Sequence, residues 1–313
     1  MTANPSQIQV DKARFLHSIE EGTLAMSRQR QSGKIHGGII TLGLTRLEIP
    51  ENLLVVGDLH GDLGSLESIL FDVNYKKFLS DPSNKAIFLG DYVDRGTKSI
   101  EVLQAVCDLK SRYSESVILM RGNHEAPTEF PFDSHNLPFD LNARFGVDGK
   151  SIYGKILEFF RLLTLVTIIN DKIFLVHGGP PTTGLYRYDE SLAMAAEEGA
   201  KNSILEELLW NDPRALPPGV PFEKSRRIFG RHYGAEVSRS CLDTSKACAI
   251  LRSHEPCHTY RLDHGGKVLT LFSCGESYPK HQPGYLLLTK EQLESAKDGS
   301  ALSQHIRKIK RRG

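Results

Sequence analysis

Three four-residue apolar runs, Leu53-Leu54-Val55-Val56, Ala86-Ile87-Phe88-Leu89 and Val117-Ile118-Leu119-Met120, each stop at a cluster of glycine and polar residues. Runs this short do not make helices, and unbroken apolar character, without alternation, suits strands covered on both faces. Helix-like stretches lie between them, near Ser65 to Phe71 and Ser99 to Tyr113. This β-α-β-α-β succession favours parallel strands joined by right-handed crossovers. Further strands are expected at Lys172 to Val176, Ala249 to Ser253, Val268 to Ser273 and Gly284 to Thr289, with helices near Leu192 to Ala200 and Ile204 to Trp210.

The polar clusters are ordered along the chain. Gly57-Asp58-Leu59-His60-Gly61-Asp62 follows the first strand, Gly90-Asp91-Tyr92-Val93-Asp94-Arg95-Gly96 the second and Arg121-Gly122-Asn123-His124-Glu125 the third. His177-Gly178-Gly179 and His254 follow two later strands. In α/β sheets the carboxyl ends of strands line the binding crevice. Asp58, His60, Asp91, Asn123, His177 and His254 are therefore expected in one region. Mixed imidazole and carboxylate donors suit a pair of divalent metals, manganese first, with iron or zinc as alternatives, and disfavour magnesium. A carboxylate between two positions, such as Asp91, can bridge both ions, and such ions make water a nucleophile near neutral pH. Any one cluster alone reads as an ordinary turn; the ordered set is what points to chemistry. Arg95 and Arg121 lie in the same loops, and a guanidinium fork matches phosphate oxygens. For Arg121 a structural salt bridge is an equally good reading.

With 313 residues, 40% of them apolar and 25% charged, the chain can bury a sizeable core as one α/β domain. A net charge of +1 selects neither nucleic acid nor a membrane as partner. Five scattered cysteines without a CxxC pair fit a reducing compartment. The most apolar stretch, Ile156 to Val176, is broken by Glu158, Arg161, Asn170, Asp171 and Lys172, against a membrane span. A cytoplasmic protein is expected. Residues 1–48 read as a helical and loop segment packed on the core, 49–290 as the catalytic domain and 291–313 as a basic tail. Pro127 to Pro138 reads as a surface insertion that either shapes a substrate groove or covers the core, and Ala215 to Pro221 as a proline-rich loop.

The first three loops, with His177-Gly178-Gly179, Leu209-Trp210-Asn211-Asp212-Pro213, Arg252-Ser253-His254-Glu255 and Leu271-Phe272-Ser273, resemble the PPP superfamily of metallophosphoesterases over roughly residues 50–290. The later motifs look more like the serine/threonine phosphatases of that superfamily than its dinucleotide hydrolases. The resemblance implies a β-sandwich of two mixed sheets flanked by helices. It implies Asp58, His60 and Asp91 on one metal, and Asp91, Asn123, His177 and His254 on the other. His124 would be the general acid, oriented by Asp94, and a metal-bridging hydroxide the nucleophile. Arg95, a second arginine and Asn123 would hold the phosphate. Register places that second arginine at Arg227; Arg231 is its rival. Cys274-Gly275-Glu276-Ser277-Tyr278 departs from the family's pattern but leaves Tyr278 in register with a substrate-side tyrosine, and Cys274 reads as a passive small residue or a redox-sensitive thiol. The implied substrates are phosphoserine and phosphothreonine proteins. The alternatives are a dinucleoside polyphosphate, such as diadenosine tetraphosphate, or another small phosphoester, and more remotely a non-catalytic phosphate-binding scaffold.

Overall fold

The computed structural model describes residues 10–185, 187–198 and 203–310. One sheet has five strands in the order Ile306–Lys308, Gly284–Thr289, Asn52–Val56, Lys85–Phe88 and Val117–Leu119, the last three parallel. The other has eight, in the order Lys34–Ile35, Gly38–Thr41, Leu44–Leu47, Val166–Ile169, Ile173–Val176, Ala249–Arg252, Val268–Leu271 and Tyr260–Asp263. A small third sheet joins Phe222–Lys224, Arg231–Tyr233 and Asp212–Pro213.

Alternate residues of a strand point to opposite faces, and here both faces are covered. Leu53, Val55, Ile87, Leu89, Ile118 and Met120 turn inward and meet Ile173, Leu175, Leu251 and Leu269 of the other sheet. Leu54, Val56, Phe88 and Leu119 turn outward, beneath apolar residues of the helices Lys12–Ser32, Leu63–Asp72, Ser99–Arg112 and Gly149–Arg161. Val166, Ile168, Phe174, Val176 and Ile250 do the same under Ser203–Trp210 and Ala235–Ser245. The result is helices, sheet, sheet, helices, and it explains why the strand runs carry no alternation. Truncating a side chain between the sheets, as in Ile87→Ala, costs about 2–5 kcal/mol.

Three expectations need correction. Residues 1–48 are more than helix and loop. After the helix Lys12–Ser32, capped by the Asp11 side chain and closed by Gly33 at φ 67°, come three strands that extend the eight-stranded sheet. They are two to four residues long, and Leu44–Leu47 is held by parallel pairing with the distant Val166–Ile169. Residues 291–313 are not a free basic tail. Ile306–Lys308 pairs along Gly284–Thr289, Ile309 is buried, and Arg307 reaches Asp72 at 3.5 Å, so part of the basic run forms a charged edge strand. Residues 311–313 lie outside the described residues. Pro127 to Pro138 is not a mere surface insertion, because Phe130 and Leu137 are buried in two different apolar clusters. The helix expected at Leu192 to Ala200 is Tyr188–Glu198, with 199 and 200 outside the described residues. Among the described residues no helix is long and apolar enough to cross a membrane.

Candidate active site

The two sheets meet at their carboxyl ends. Asp58 forms a parallel bridge with Phe272, Gly57 N donates to Ser273 Oγ and Asp58 N to Ser253 Oγ, each at 2.8 Å. Loops from both sheets therefore converge. Five non-glycine residues there have positive φ: His60 (45°), Asp91 (52°), Asp94 (68°), Arg95 (70°) and His254 (71°). Left-handed backbone costs about 1–2 kcal/mol per residue, and such strain collects where surrounding contacts over-determine a site. One such contact is Glu125, whose buried carboxylate accepts from Asp91 N (2.8 Å), Tyr92 N (2.9 Å) and Gly122 N (3.0 Å). A side chain at Gly90 or Gly122 would drive one of these loops into the other's backbone.

Six side chains face one another in this junction. His60 Nε2 lies 3.7 Å from Asp58 Oδ2 and 3.5 Å from Asp91 Oδ2. On the other side of Asp91, His177 Nε2 lies 3.5 Å from Oδ1. Asn123 Oδ1 is 3.1 Å from His177 Nε2 and 2.8 Å from His254 Nδ1. His60 Nδ1 donates to the Val93 carbonyl at 3.0 Å and His177 Nδ1 to the Leu89 carbonyl at 2.9 Å. Those bonds leave each Nε2 lone pair aimed into the cluster, as metal-ligating histidines require. Asp91 thus stands between two donor groups, one with Asp58 and His60, the other with Asn123, His177 and His254. All six are buried.

The donor chemistry fits divalent cations. Burial, then the neighbouring Asp58 and Glu125 carboxylates, push Asp91 well above the usual carboxylate range. Burial lowers His177 to about 4, and burial followed by the Arg227 cation holds His254 well below the ordinary histidine range. Asp58 Oδ2 is buried and has no hydrogen-bond partner among the described residues. Without a cation, this crowding favours a proton on Asp91; a divalent cation among these oxygens and unprotonated nitrogens would take that proton's place.

Beside this cluster His124 Nδ1 donates to Asp94 Oδ2 at 2.7 Å, and His124 N to Asp91 Oδ1 at 3.0 Å. Burial tends to raise the Asp94 pKa, but its bonds with His124 and His135 hold it well below the carboxylate range. Burial lowers His124 to about 3, against the upward pull of Asp94. The His124 ring meets His60 at 4.7 Å and Phe132 at 4.4 Å, both edge-on.

The arginines divide. Arg95 is exposed and has no ion-pair partner among the described residues. Arg121 is buried, donating to the Glu125 carbonyl at 3.0 Å and to Glu129 at 2.9 Å, the salt bridge foreseen as its second reading. Arg227 Nε donates to Asp212 Oδ2 at 3.1 Å, on the His254 side of the cluster. Arg231 is tied to Thr182 Oγ1 at 2.8 Å and Glu207 at 3.5 Å, and lies over the Phe222 ring. The Tyr278 ring is 6.1 Å from His60. Cys274 is buried and its thiol is pushed up to about 12, which makes it an inert neighbour.

The profile of the calcineurin-like phosphoesterases matches residues 52–258. The chain belongs to that family. A calcineurin-like phosphoesterase implies divalent metal ions, and the donor atoms of His60, Asp91 and His124 on one side of the cluster, and of Asp91, His177 and His254 on the other, lie close enough together to be candidate sites for them. Among its relatives, the chain is 31% identical over 265 residues to a probable serine/threonine-protein phosphatase of Encephalitozoon cuniculi, covering 83% of this chain and 55% of that protein. It is 31% identical over 242 residues to human serine/threonine-protein phosphatase 5, covering 74% and 45%. The chain spans about half the length of such relatives. Among solved structures, a serine/threonine phosphatase of Saccharomyces cerevisiae superposes with a TM-score of 0.74 at 20% identity, covering 97% of this chain and 91% of that one. A cold-active protein-tyrosine phosphatase of Shewanella gives 0.57 at 18% identity, covering 85% and 82%. These likenesses establish the α/β fold of mixed sheets flanked by helices.

Several residues that shape the site had no assigned part in the sequence reading. His135, Phe132 and Tyr153 pack around the Asp94 and His124 pair. Arg252, fully buried, bonds Gly178 O (2.5 Å), Asp212 (2.9 Å) and Glu255 (2.8 Å), and so fastens the loops that carry His177 and His254. Arg252 belongs to a motif that resembles the family's, but its scaffold role depends on partners 40 and 74 residues away.

Proposed function

We propose that the chain is a metal-dependent phosphoprotein phosphatase that hydrolyses phosphoserine and phosphothreonine monoesters. The observation that carries this reading is Asp91 set between two donor groups, with the His124–Asp94 pair beside it and Arg95 and Arg227 at the rim. Asp58, His60 and Asp91 would hold one ion, and Asp91, Asn123, His177 and His254 the second, with manganese the first expectation and iron or zinc the alternatives. When bound, the ion pair supplies Lewis acidity toward the phosphate and toward the attacking water. Arg95 and Arg227 orient the phosphate oxygens, with Asn123 and Tyr278 on the same face and Arg231 a supporting position. Phosphoryl transfer leaves the protein chiefly positioning and charge neutralisation to provide.

A serine alkoxide is a poor leaving group, so His124 would hand it a proton from Nε2 while Asp94 holds Nδ1. Burial keeps the ring neutral in the free site, and a dianionic phosphate beside it favours the protonated form. General acid catalysis contributes about 10² to 10⁴ in rate. Phosphorylated proteins in the cytoplasm are the substrates this reading calls for. The test is metal content together with turnover on phosphoserine, phosphothreonine and phosphotyrosine peptides and diadenosine tetraphosphate. Faster turnover of the tetraphosphate than of every peptide would replace the protein substrate with a small one. Absence of metal and of turnover would overturn the reading.

A further inference from the structure

Asp94 is completely buried and its carboxylate is surrounded by four donors. Oδ2 accepts from His124 Nδ1 at 2.7 Å and from His135 Nδ1 at 2.9 Å. Oδ1 accepts from Asn136 N at 2.8 Å and Leu137 N at 3.0 Å. Three of the four come from the single segment 135–137, inside the stretch Pro127 to Pro138. His135 Nδ1 carries its proton toward a carboxylate, so in the neutral ring Nε2 is an acceptor. The Tyr153 hydroxyl, 2.8 Å away on the helix Gly149–Arg161, is the donor it needs. Burial pushes the Tyr153 pKa up to about 12, so the hydroxyl keeps its proton. Phe132 fills the space between the two imidazoles, 4.4 Å from His124 and 5.6 Å from His135, both edge-on.

Such a carboxylate has little freedom to rotate. Removing one donor from a buried anion loosens it and leaves a lone pair unmatched. Its remaining partner on the same oxygen is His124, whose ring direction sets where Nε2 points. A shift of that ring by a fraction of an ångström displaces a proton donor from its leaving group.

We propose that His135, its tautomer set by Tyr153, is a positioning residue that holds Asp94 so that His124 Nε2 faces the leaving-group oxygen. This rests on the reading of His124 as general acid. His135 touches neither substrate nor metal in this scheme; it acts through Asp94. Its effect therefore grows with the leaving group's need for a proton.

The experiment compares wild type, His135→Ala, His135→Asn and Tyr153→Phe, each checked for folding by circular dichroism and for metal content. Substrates are a phosphoserine peptide and aryl phosphates of graded leaving-group basicity. Asparagine can keep an N–H near the place of Nδ1 but gives up the Tyr153 link. His135→Ala is expected to lower kcat on the peptide about 10-fold or more, with KM within about twofold and metal unchanged, and to steepen the dependence of rate on leaving-group basicity. His135→Asn is expected to recover part of that loss, and Tyr153→Phe to lose about two- to fivefold on the peptide. Unchanged slopes in folded, metal-loaded variants would overturn the proposal, as would equal losses on p-nitrophenyl phosphate and on the peptide. If alanine unfolds the protein, His135→Asn and Tyr153→Phe decide by the same slopes. Wild type that turns over aryl phosphates with no sign of proton donation would instead remove the general-acid reading itself, and this inference with it.

Discussion

Arg227 Nε donates to Asp212 Oδ2 across 3.1 Å, while Arg252 holds the other oxygen of the same buried carboxylate at 2.9 Å. Asp212 Oδ1 is in turn 3.9 Å from His254 Nε2. Arg227 is thereby moored beside the cluster, with its side chain 38% exposed and available to an arriving anion. Arg231 is comparably exposed, at 35%, but its guanidinium is engaged by Thr182, Glu207 and the Phe222 ring. Arg227→Ala is expected to lower kcat/KM for a phosphoserine peptide about 10²-fold. Arg231→Ala should cost less than about tenfold. Kinetics of the two variants check this, and the reverse order would move the phosphate clamp to Arg231.

Asp91 serves both donor groups, with Oδ2 toward His60 and Oδ1 toward His177. Asp91→Asn replaces one anionic oxygen by an amide that donates into a cluster built of acceptors. Metal retention is expected to fall by at least about 10²-fold, with both ions affected. Metal analysis after dialysis, and activity titrated with added manganese, measure the effect. Full occupancy and full rate in this variant would exclude a bridging role.

The convergence of Asp58, His60, Asp91, Asn123, His177 and His254 was legible because each sits within a few residues of a strand end, so one strand assignment places one side chain. The strands were legible because both their faces are buried and the apolar runs are unbroken. What escaped has long reach or little local signal. His135 meets Asp94 across 41 residues, and no spacing in Pro127 to Pro138 marks it. Lys34–Ile35 and Gly38–Thr41 are exposed on much of their length, and their sheet is continued through Leu44–Leu47 to Val166–Ile169. The basic residues near the C-terminus look like a solvated tail until Gly284–Thr289 offers them an edge to pair with. Arg121 suits phosphate or a salt bridge equally well by its position in the chain, and the Glu129 carboxylate at 2.9 Å makes it the salt bridge.

That Arg121–Glu129 pair gives a pH-dependent prediction for stability. Burial tends to raise the Glu129 pKa, but Arg121 and the Thr128 hydroxyl more than offset it, so it lies below the ordinary value. The folded state then binds its proton less readily than the unfolded chain. The resulting stability is present above the unfolded pKa of about 4.3 and is lost as pH falls through the folded value. Glu129→Gln is expected to cost about 1–3 kcal/mol at pH 7, since it leaves a buried guanidinium without its counter-charge. Thermal unfolding of the two proteins should converge below about pH 4. A gap that stays constant from pH 7 to pH 3 would mean the pair contributes packing and no charge.

His124→Asn separates proton donation from metal binding. The imidazole is next to the donor groups, 4.7 Å from the His60 ring, yet its Nδ1 is committed to Asp94 at 2.7 Å. Asparagine can keep a bond to Asp94 but cannot donate from the position of Nε2. The variant is expected to retain its metals and to lose about 10² to 10⁴ in kcat on a phosphoserine peptide. The loss should be much smaller on p-nitrophenyl phosphate, because a nitrophenolate leaves without needing a proton. Phosphate release on both substrates, with metal content measured on the same samples, distinguishes the possibilities. Equal losses on the two substrates would count against proton donation. Loss of the metals with the activity would make His124 a support for the cluster, because the missing ring would then have acted on the ions and not on the leaving oxygen.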